Sequence, residues 1–309
     1  MCPQQNCLVT KMNVCILLIC FNGLQYSFQQ SLRVLSGRDA RPSEFPYVAR
    51  MELHITTDKV LAKHYCSCTV ITKVWTLTAA HCNVALDYLI KNKGPGAKGV
   101  IRYGPVKKNA KKSCMKDKGI RDIVHFVNHP GYFKFAYPNV GYVSKNDIGL
   151  VKTKNIPMAN YGKISAVDYT ALYGYELMAV GFGMMNSSNG MNDTLSLKKP
   201  LQVVKVLAIR CDSSAKNYYY PVLCTAQRCG TATALCPGDS GGPALRQGRV
   251  VAVNTATASS DCETSDLRKR DNLVGILTPV SVYIDWITVN TDTRVVSASL
   301  YCKEIVLYT

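Results

Sequence analysis

The glycine-rich octet CPGDSGGP at residues 236–243 constrains the fold of this chain more than any other segment. Glycines can adopt backbone angles that other residues reach only with strain. Such a loop can expose the hydroxyl of Ser240 and direct backbone N–H groups toward the same point, which suits a nucleophile with an oxyanion hole. A bare GxSG is more often a turn with an incidental serine, but the complete octet is far more specific. Because a serine hydroxyl is a weak nucleophile, the fold must bring a histidine base and a carboxylate to this loop.

Two upstream residues are candidates for the base and the carboxylate. His81 lies near the end of the second of two segments rich in β-branched and aromatic residues, 64–71 and 74–82, which we interpret as paired strands. Asp147 precedes the apolar residues of another strand. An isolated histidine beside a cysteine is usually structural, and an aspartate before a strand is usually a turn former. With the octet downstream, the order His81, Asp147, Ser240 instead matches one form of the catalytic triad.

The rest of the chain consists of short strand-like segments separated by turns that contain Gly, Asn and Ser. Further strands are predicted at residues 44–50, 123–127, 148–151, 177–183, 201–206 and 250–255. Residues 282–287 alone have the clear i, i+4 apolar spacing of a helix. Many short strands and little helix predict an all-β sandwich or barrel architecture.

The charge of the chain is strongly basic. Its 309 residues include 37 Lys and Arg against 20 acidic residues, a net charge of +17, and the 47% hydrophobic content is typical of a globular protein. Residues 88–121 contain eleven basic residues and one acid, Asp117. This stretch is either a solvated surface loop or, over residues 91–121, an exosite for polyanions. Tyr88 and Tyr103 are its only aromatic residues, so we expect no dedicated nucleic-acid module.

The N-terminal residues predict a secreted protein. Lys11 precedes the apolar run 14–21, which is too short to span a bilayer and suits a signal peptide, with a buried strand as the alternative. No later run is long enough for a transmembrane helix, so we expect no membrane attachment. Without the four cysteines before residue 21, ten of 14 remain, an even number that suits disulfides in an oxidising compartment. Asn186 and Asn192 begin glycosylation sequons.

Three motifs together resemble the chymotrypsin/trypsin-like serine endopeptidases. They are TAAHC at 78–82, NDIGL at 146–150 and GDSGGP at 238–243, and the resemblance extends from Val34 to about Ile287. It implies an all-β fold of two packed antiparallel β-barrels with a C-terminal helix beginning near Tyr283.

The implied organisation is a signal peptide at 1–23, a short activation peptide at 24–33 and a peptidase domain at 34–309. Within that domain we expect an N-terminal barrel at about 34–160, a C-terminal barrel at about 161–290 and a tail at 291–309.

The resemblance also implies roles for individual residues. His81 would be the general base, Asp147 would hold its tautomer, and Ser240 would attack the scissile carbonyl. Backbone N–H groups of Gly238 and Ser240 would form the oxyanion hole. An activating protease would cut after Arg33, and the freed ammonium of Val34 would pair with Asp239. Ser36 departs from the family's usual glycine next to this cleavage point.

The family's shared disulfides correspond to Cys66–Cys82, Cys211–Cys224 and Cys236–Cys262. The remaining cysteines have no family partners and allow three pairings among themselves; they are Cys68, Cys114, Cys229 and Cys302.

The chain departs from the family pattern in two further places, near the catalytic centre and at a calcium site that part of the family has. Ser67 and Cys68 replace a glycine pair that the family has close to the catalytic centre. No acid lies between Asp87 and Asp117, where part of the family binds calcium, so we expect no metal and no cofactor.

The residue that the resemblance places at the base of the specificity pocket is Ala234, which carries no charge to compensate a buried Lys or Arg. With Thr257 and Gly275 on its walls, the pocket is expected to prefer apolar or aromatic side chains. An elastase-like preference for small side chains is one alternative. Another alternative is a preference for basic side chains, which an acid reaching into the pocket from the neighbouring loop would restore. The acids of that loop are Glu263, Asp266 and Asp271.

The resemblance therefore implies a secreted, monomeric endopeptidase that hydrolyses peptide bonds in proteins or peptides through an acyl-enzyme, made as a zymogen. The alternative is a catalytically silent homologue that acts as a binding or regulatory protein.

Overall fold

The computed structural model describes residues 37–56, 60–104, 119–137, 141–183, 199–227, 235–236, 238–257 and 275–292. The predicted signal and activation peptides, both sequons, residues 105–118 of the basic stretch and the C-terminal tail lie outside these ranges. Strands and α-helices are numbered in chain order.

Six antiparallel strands close into a first barrel. In chain order they are β2 (Val48–Thr56), β3 (Val60–Val70), β4 (Trp75–Thr78), β5 (Ala97–Arg102), β6 (Ile120–Asn128) and β9 (Gly149–Thr153). Around the ring the order is β2-β3-β4-β9-β6-β5, and pairing of β5 with β2 closes it. Residues 48–54 of β2 are all buried, because one face of the strand lies in the barrel core and the other is covered by neighbouring segments.

The covered face of β2 is charged. Glu52 accepts hydrogen bonds from Arg102 Nε at 2.8 Å and from His54 Nε2 at 2.8 Å, and it is fully buried. The buried guanidinium of Arg50 lies over the ring of Phe182, 4.3 Å from its centroid. Buried charges need such partners because desolvation otherwise penalises them heavily.

A second barrel follows in the chain. Its strands are β11 (Glu176–Gly181), β12 (Gln202–Ile209), β14 (Leu223–Ala226), β15 (Pro243–Arg246), β16 (Arg249–Thr257) and β17 (Gly275–Pro279). All neighbouring pairs are antiparallel, and the pairing of β12 with β14 completes the ring. Two short strands add to its outside, β1 (Arg38–Asp39) on β12 and β10 (Lys163–Ile164) on β16. The predicted all-β fold of two antiparallel barrels is confirmed.

The described chain contains three α-helices, and the sequence predicted one of them. They are α1 (Ala80–Asn92), α2 (Ser213–Tyr218) and α3 (Ile284–Thr291). The predicted C-terminal helix corresponds to α3, which follows a turn of 3-10 helix at Ser281–Tyr283. The strand expected over 74–82 is wrong beyond Thr78, because α1 begins two residues later.

Residues 88–121 also differ from the expected surface loop. The segment begins inside α1, and its residues 97–102 form β5, where Val100 and Ile101 are fully buried. In α1, Cys82 and Leu86 are buried at i, i+4 spacing, so a helical face packs on the barrel.

A three-stranded sheet beside the first barrel was not predicted. It contains the hairpin of β7 (Phe133–Tyr137) and β8 (Gly141–Lys145), with β13 (Tyr219–Tyr220) paired to β8 in parallel. One hydrophobic core cluster includes side chains of both barrels, such as Leu77 of the first and Val253 of the second. The barrels are therefore packed on each other through apolar side chains.

Two disulfides lie within the described residues. Cys66–Cys82 joins β3 to α1, and Cys211–Cys224 joins the end of β12 to β14. Both are pairs that the resemblance implied. A disulfide of this kind typically stabilises a fold by about 2–4 kcal/mol, mainly by restricting the unfolded chain.

The remaining predicted cysteine pairs are only partly described. Cys236 is disulfide-bonded, and its implied partner Cys262 lies outside the described residues. Cys68 is a free, fully buried thiol, so it forms none of the additional disulfides considered for it. Burial raises the pKa of this thiol, which disfavours the reactive thiolate.

Candidate active site

The start of α1 brings His81 against Asp147. The His81 ring donates from Nδ1 to Asp147 Oδ2 at 2.7 Å, and its backbone N–H donates to Asp147 Oδ1 at 2.8 Å. The second bond satisfies one of the first N–H groups of the helix, which have no partner within it. One carboxylate therefore both caps α1 and orients the imidazole.

The chain around Asp147 fixes its position relative to α1. Asn146 has φ of 51°, a left-handed conformation that asparagine tolerates, and its side-chain oxygen accepts from Tyr283 at 3.0 Å. From α1, the amide of Asn83 donates to the carbonyl of Leu150 at 3.2 Å. Tyr283 thus holds the residue before Asp147, and Asn83 joins α1 to β9 after it.

The surroundings of Asp147 favour its ionised form. Its residue is only 2% exposed, and burial by itself disfavours the charged form. The positive charge and the hydrogen bonds of His81 outweigh that burial and hold the pKa of Asp147 below its usual range.

The loop that carries Ser240 lies against the residues that precede His81. Gly241 has φ of 79°, and a Cβ there would overlap the Thr78 hydroxyl and the Ser67 carbonyl. Only glycine fits this approach. The half-buried Ser240 hydroxyl donates to the carbonyl of Thr255 at 3.4 Å. Among the described residues, no hydrogen bond joins Ser240 to His81.

The N–H groups of this loop are used unequally. Those of Asp239, Gly241 and Gly242 donate to loop or β16 carbonyls at 2.7–3.0 Å. Those of Gly238 and Ser240 donate to no group in the described part of the chain. These two donors are the ones that the resemblance assigns to an oxyanion hole.

Asp239 is buried beneath the loop rather than exposed beside Ser240. Its carboxylate accepts from Gly183 N at 2.6 Å and Cys236 N at 3.0 Å, and the residue is 2% exposed. A Cβ on Gly181 or Gly183 would overlap this carboxylate. Burial raises the pKa of Asp239, and the charge of Lys199 together with the two N–H bonds only partly offsets that rise.

A buried lysine beside Asp239 was not anticipated from the sequence. Lys199 is 3% exposed, and its ammonium donates to the carbonyl of Gly183, whose N–H binds Asp239. Its own carbonyl accepts from the Arg50 guanidinium. Lys199 follows another lysine in the sequence, a pattern that favours a solvated surface, so no sequence signal indicated its burial.

The Gly238 carbonyl is held from the first barrel. It accepts from Ser67 Oγ at 2.9 Å and from His64 Nε2 at 3.2 Å. Burial, together with the charge of Arg50, lowers the pKa of His64 to about 4. The buried Nδ1 of His64 has no hydrogen-bond partner among the described residues, which also disfavours a second ring proton. Ser67 was noticed in the sequence only as a departure, and His64 only as part of a strand.

The predicted specificity residues are only partly described. Ala234 lies outside the described residues, and Thr257 pairs with Gly275 at the ends of β16 and β17. Gly275 is buried, and a Cβ there would lie 3.1 Å from Leu235 Cδ1. Arg33 and Val34 are also outside the described ranges.

One cluster of potential metal ligands occurs in the described chain. Atoms of Cys66, His81 and Cys82 lie within 4.8 Å of one another. The two sulfurs form a disulfide and supply no thiolate, whereas zinc binds cysteine as the thiolate. This cluster therefore does not fit a metal.

Comparison with known proteins is consistent with this geometry. A sequence model of the trypsin family matches residues 34–287. The chain is similar to transmembrane protease serine 11C of Mus musculus, with 24% identity over 84% of this chain and 54% of that protein. It is similar to serine protease 1 of Drosophila melanogaster, with 24% identity over 84% of this chain and 86% of that protein. It is also similar to coagulation factor IX of Cavia porcellus, with 25% identity over 82% of this chain and 80% of that protein. The chain thus spans about half the length of the mouse relative.

Proposed function

This chain belongs to the trypsin family of serine proteases, and on that premise we propose that it is an endopeptidase that uses His81, Asp147 and Ser240. The observation that carries the proposal is the pair of hydrogen bonds between buried Asp147 and His81, at 2.7 and 2.8 Å. An ionised carboxylate only accepts hydrogen bonds, so Nδ1 of His81 carries the ring proton and Nε2 is left as a base.

In the proposed reaction, Ser240 Oγ adds to the scissile carbonyl carbon while its proton passes to His81 Nε2. The oxygen of the tetrahedral intermediate takes up negative charge next to the N–H groups of Gly238 and Ser240. His81 then gives the proton to the leaving amine, and an acyl-enzyme on Ser240 remains. Water repeats these steps to release the acid product.

We further propose that the chain is a secreted zymogen, cleaved after Arg33 and N-glycosylated at the sequons. Asp239 would receive the new ammonium of Val34. The buried carboxylate, with its raised pKa, supports this role because burial disfavours its charge and a cation would relieve that penalty.

The segment 91–121 is proposed as a polyanion exosite, and the uncharged Ala234 supports a preference for apolar or aromatic residues at P1. No helix in the described part of the chain is both long and apolar enough to cross a membrane.

Labelling with a fluorophosphonate tests the enzymatic proposal. The full chain, cleaved after Arg33, is expected to form a covalent adduct on Ser240, and the Ser240→Ala variant is expected to form none. Mass spectrometry locates the adduct. Absence of labelling in the cleaved protein would refute the enzymatic proposal. Profiling cleavage of a peptide library then tests the P1 preference.

One observation favours the second candidate, a catalytically silent homologue with a binding role. The Ser240 hydroxyl bonds the carbonyl of Thr255, and no bond to His81 occurs among the described residues. A chain that remains unlabelled after cleavage but binds a partner protein would support this alternative.

A further inference from the structure

We propose that Ser67 is a positioning residue of the active site, whose side chain holds Gly238 from the opposite barrel so that the Gly238 N–H faces the substrate oxygen. This inference rests on the proposed endopeptidase function. Ser67 lies in β3 of the first barrel and is fully buried.

The Ser67 hydroxyl makes two hydrogen bonds to the second barrel. It donates to the Gly238 carbonyl at 2.9 Å and accepts from the Phe182 backbone N–H at 2.9 Å. Phe182 lies between the two glycines that contact the Asp239 carboxylate. The Ser67 hydroxyl therefore links Phe182 to Gly238, the residue that begins the described part of the loop carrying Ser240.

The Ser67 backbone strengthens the same connection. Its N–H donates to the Ser240 carbonyl at 2.9 Å, and its carbonyl accepts from the Thr78 hydroxyl at 3.2 Å. Ser67 thus holds the loop on both sides of Asp239. A glycine at this position keeps the backbone bonds and lacks both hydroxyl bonds, so the serine adds a restraint that the family's usual residue cannot provide.

The restraint matters because Gly238 is conformationally permissive. Its φ is 90°, and glycine has no Cβ to restrict rotation of the flanking peptides. Fixing its carbonyl limits the directions open to its N–H, which has no partner among the described residues. A preorganised donor stabilises the charge that develops on the substrate oxygen, so losing this order should lower kcat more than it raises KM.

The test compares Ser67→Ala with Thr76→Val in the full chain, cleaved after Arg33. Thr76 is a buried hydroxyl of the same barrel whose Oγ1 has no partner among the described residues, so its loss controls for general effects on the core. For Ser67→Ala we expect kcat to fall by about 10- to 100-fold with KM changed less than about threefold, since small misplacement of catalytic groups can reduce rates by about 100-fold. Ser67→Cys, which retains a weak donor, should recover part of kcat.

Unchanged kcat in Ser67→Ala, or a rise in KM alone, would overturn the proposal. A fall in kcat of equal size in Thr76→Val would also overturn it, because the effect would then be a general one. Hydrogen exchange of residues 238–242 provides a readout that does not need activity: Ser67→Ala should exchange faster there, and equal rates would overturn the restraint. Absence of fluorophosphonate labelling in the wild type would refute the endopeptidase function, and the exchange rates would still test the restraint separately.

Discussion

Replacing His64 by glutamine should remove one source of acid sensitivity from the fold. The Nε2 of His64 donates to the Gly238 carbonyl at 3.2 Å, and the glutamine side chain can present an N–H donor at a similar reach without titrating. Because burial lowers the pKa of His64 from 6.5 to about 4, the folded chain binds this proton less readily than the unfolded chain. The contribution that the neutral imidazole of His64 makes to the free energy of unfolding is therefore complete above pH 6.5. This contribution is lost as the pH falls through about 4.

The structure sets an upper limit on this effect. One unit of pKa difference corresponds to roughly 1.4 kcal/mol, so a fall from 6.5 to about 4 corresponds to about 3 kcal/mol of unfolding free energy. The wild type should lose up to this amount through His64 between neutral pH and pH 4. His64→Gln should be slightly less stable at neutral pH, and its loss of unfolding free energy on acidification should be smaller than that of the wild type by up to about 3 kcal/mol.

Urea unfolding at several pH values between 7 and 4 measures the difference. The tryptophans, Trp75 and Trp286, provide the fluorescence signal. His125→Gln is the matched control, because it makes the same substitution at an exposed position of β6. Its pH dependence should follow the wild type. Equal pH dependence in wild type and His64→Gln would refute the reasoning, because the buried imidazole would then contribute nothing to acid sensitivity.

Three further changes test other contacts. Gly183→Ala should destabilise the fold by about 1–3 kcal/mol in urea unfolding, because its Cβ would lie 2.5 Å from Asp239 Cγ. The control is Gly248→Ala, whose Cβ would meet open space, so that only the positive φ of this residue should reduce stability. An equal loss of unfolding free energy in both variants would contradict an overlap between the Cβ added at Gly183 and Asp239. Lys199→Met should lower the free energy of unfolding at neutral pH by about 3 kcal/mol, because it removes the buried ammonium that bonds the Gly183 carbonyl and whose charge partly offsets the desolvation of Asp239. Adding Asp239→Asn should restore part of that loss. Hydrogen bonds from Arg38 lower the pKa of Glu44 to about 2, so the stabilisation by this ion pair is present above pH 4.5 and is lost toward pH 2. In Glu44→Gln, thermal stability should therefore depend less on pH over that range. The difference should be less than about 1 kcal/mol, because the pair is partly exposed.

Much of the fold and part of the site follow from local sequence. The strand segments were visible as short β-branched runs between turns, and α3 as an i, i+4 pattern, because these signals depend on neighbouring residues alone. Helix α1 was missed because its buried face includes the polar Asn83 and because packing on the barrel, rather than local propensity, decides its conformation. The hairpin of β7 and β8 was missed because residues 133–136 of β7 are all exposed, whereas Val143 and Ser144 of β8 are buried side by side, so the burial of these described residues does not follow the period of two by which strands are predicted.

The sequence by itself determined the residue types at the centre of this protein. Short motifs around His81, Asp147 and Ser240 identified the family and the two-barrel architecture, because each motif requires only a local turn or strand end. Tertiary structure alone decided what surrounds them. Ser67 and Gly238 are 171 residues apart and lie in different barrels, and Lys199 and Asp239 come together from separate segments, before β12 and before β15. Contacts across two barrels depend on strand register and packing, which no short window of sequence records.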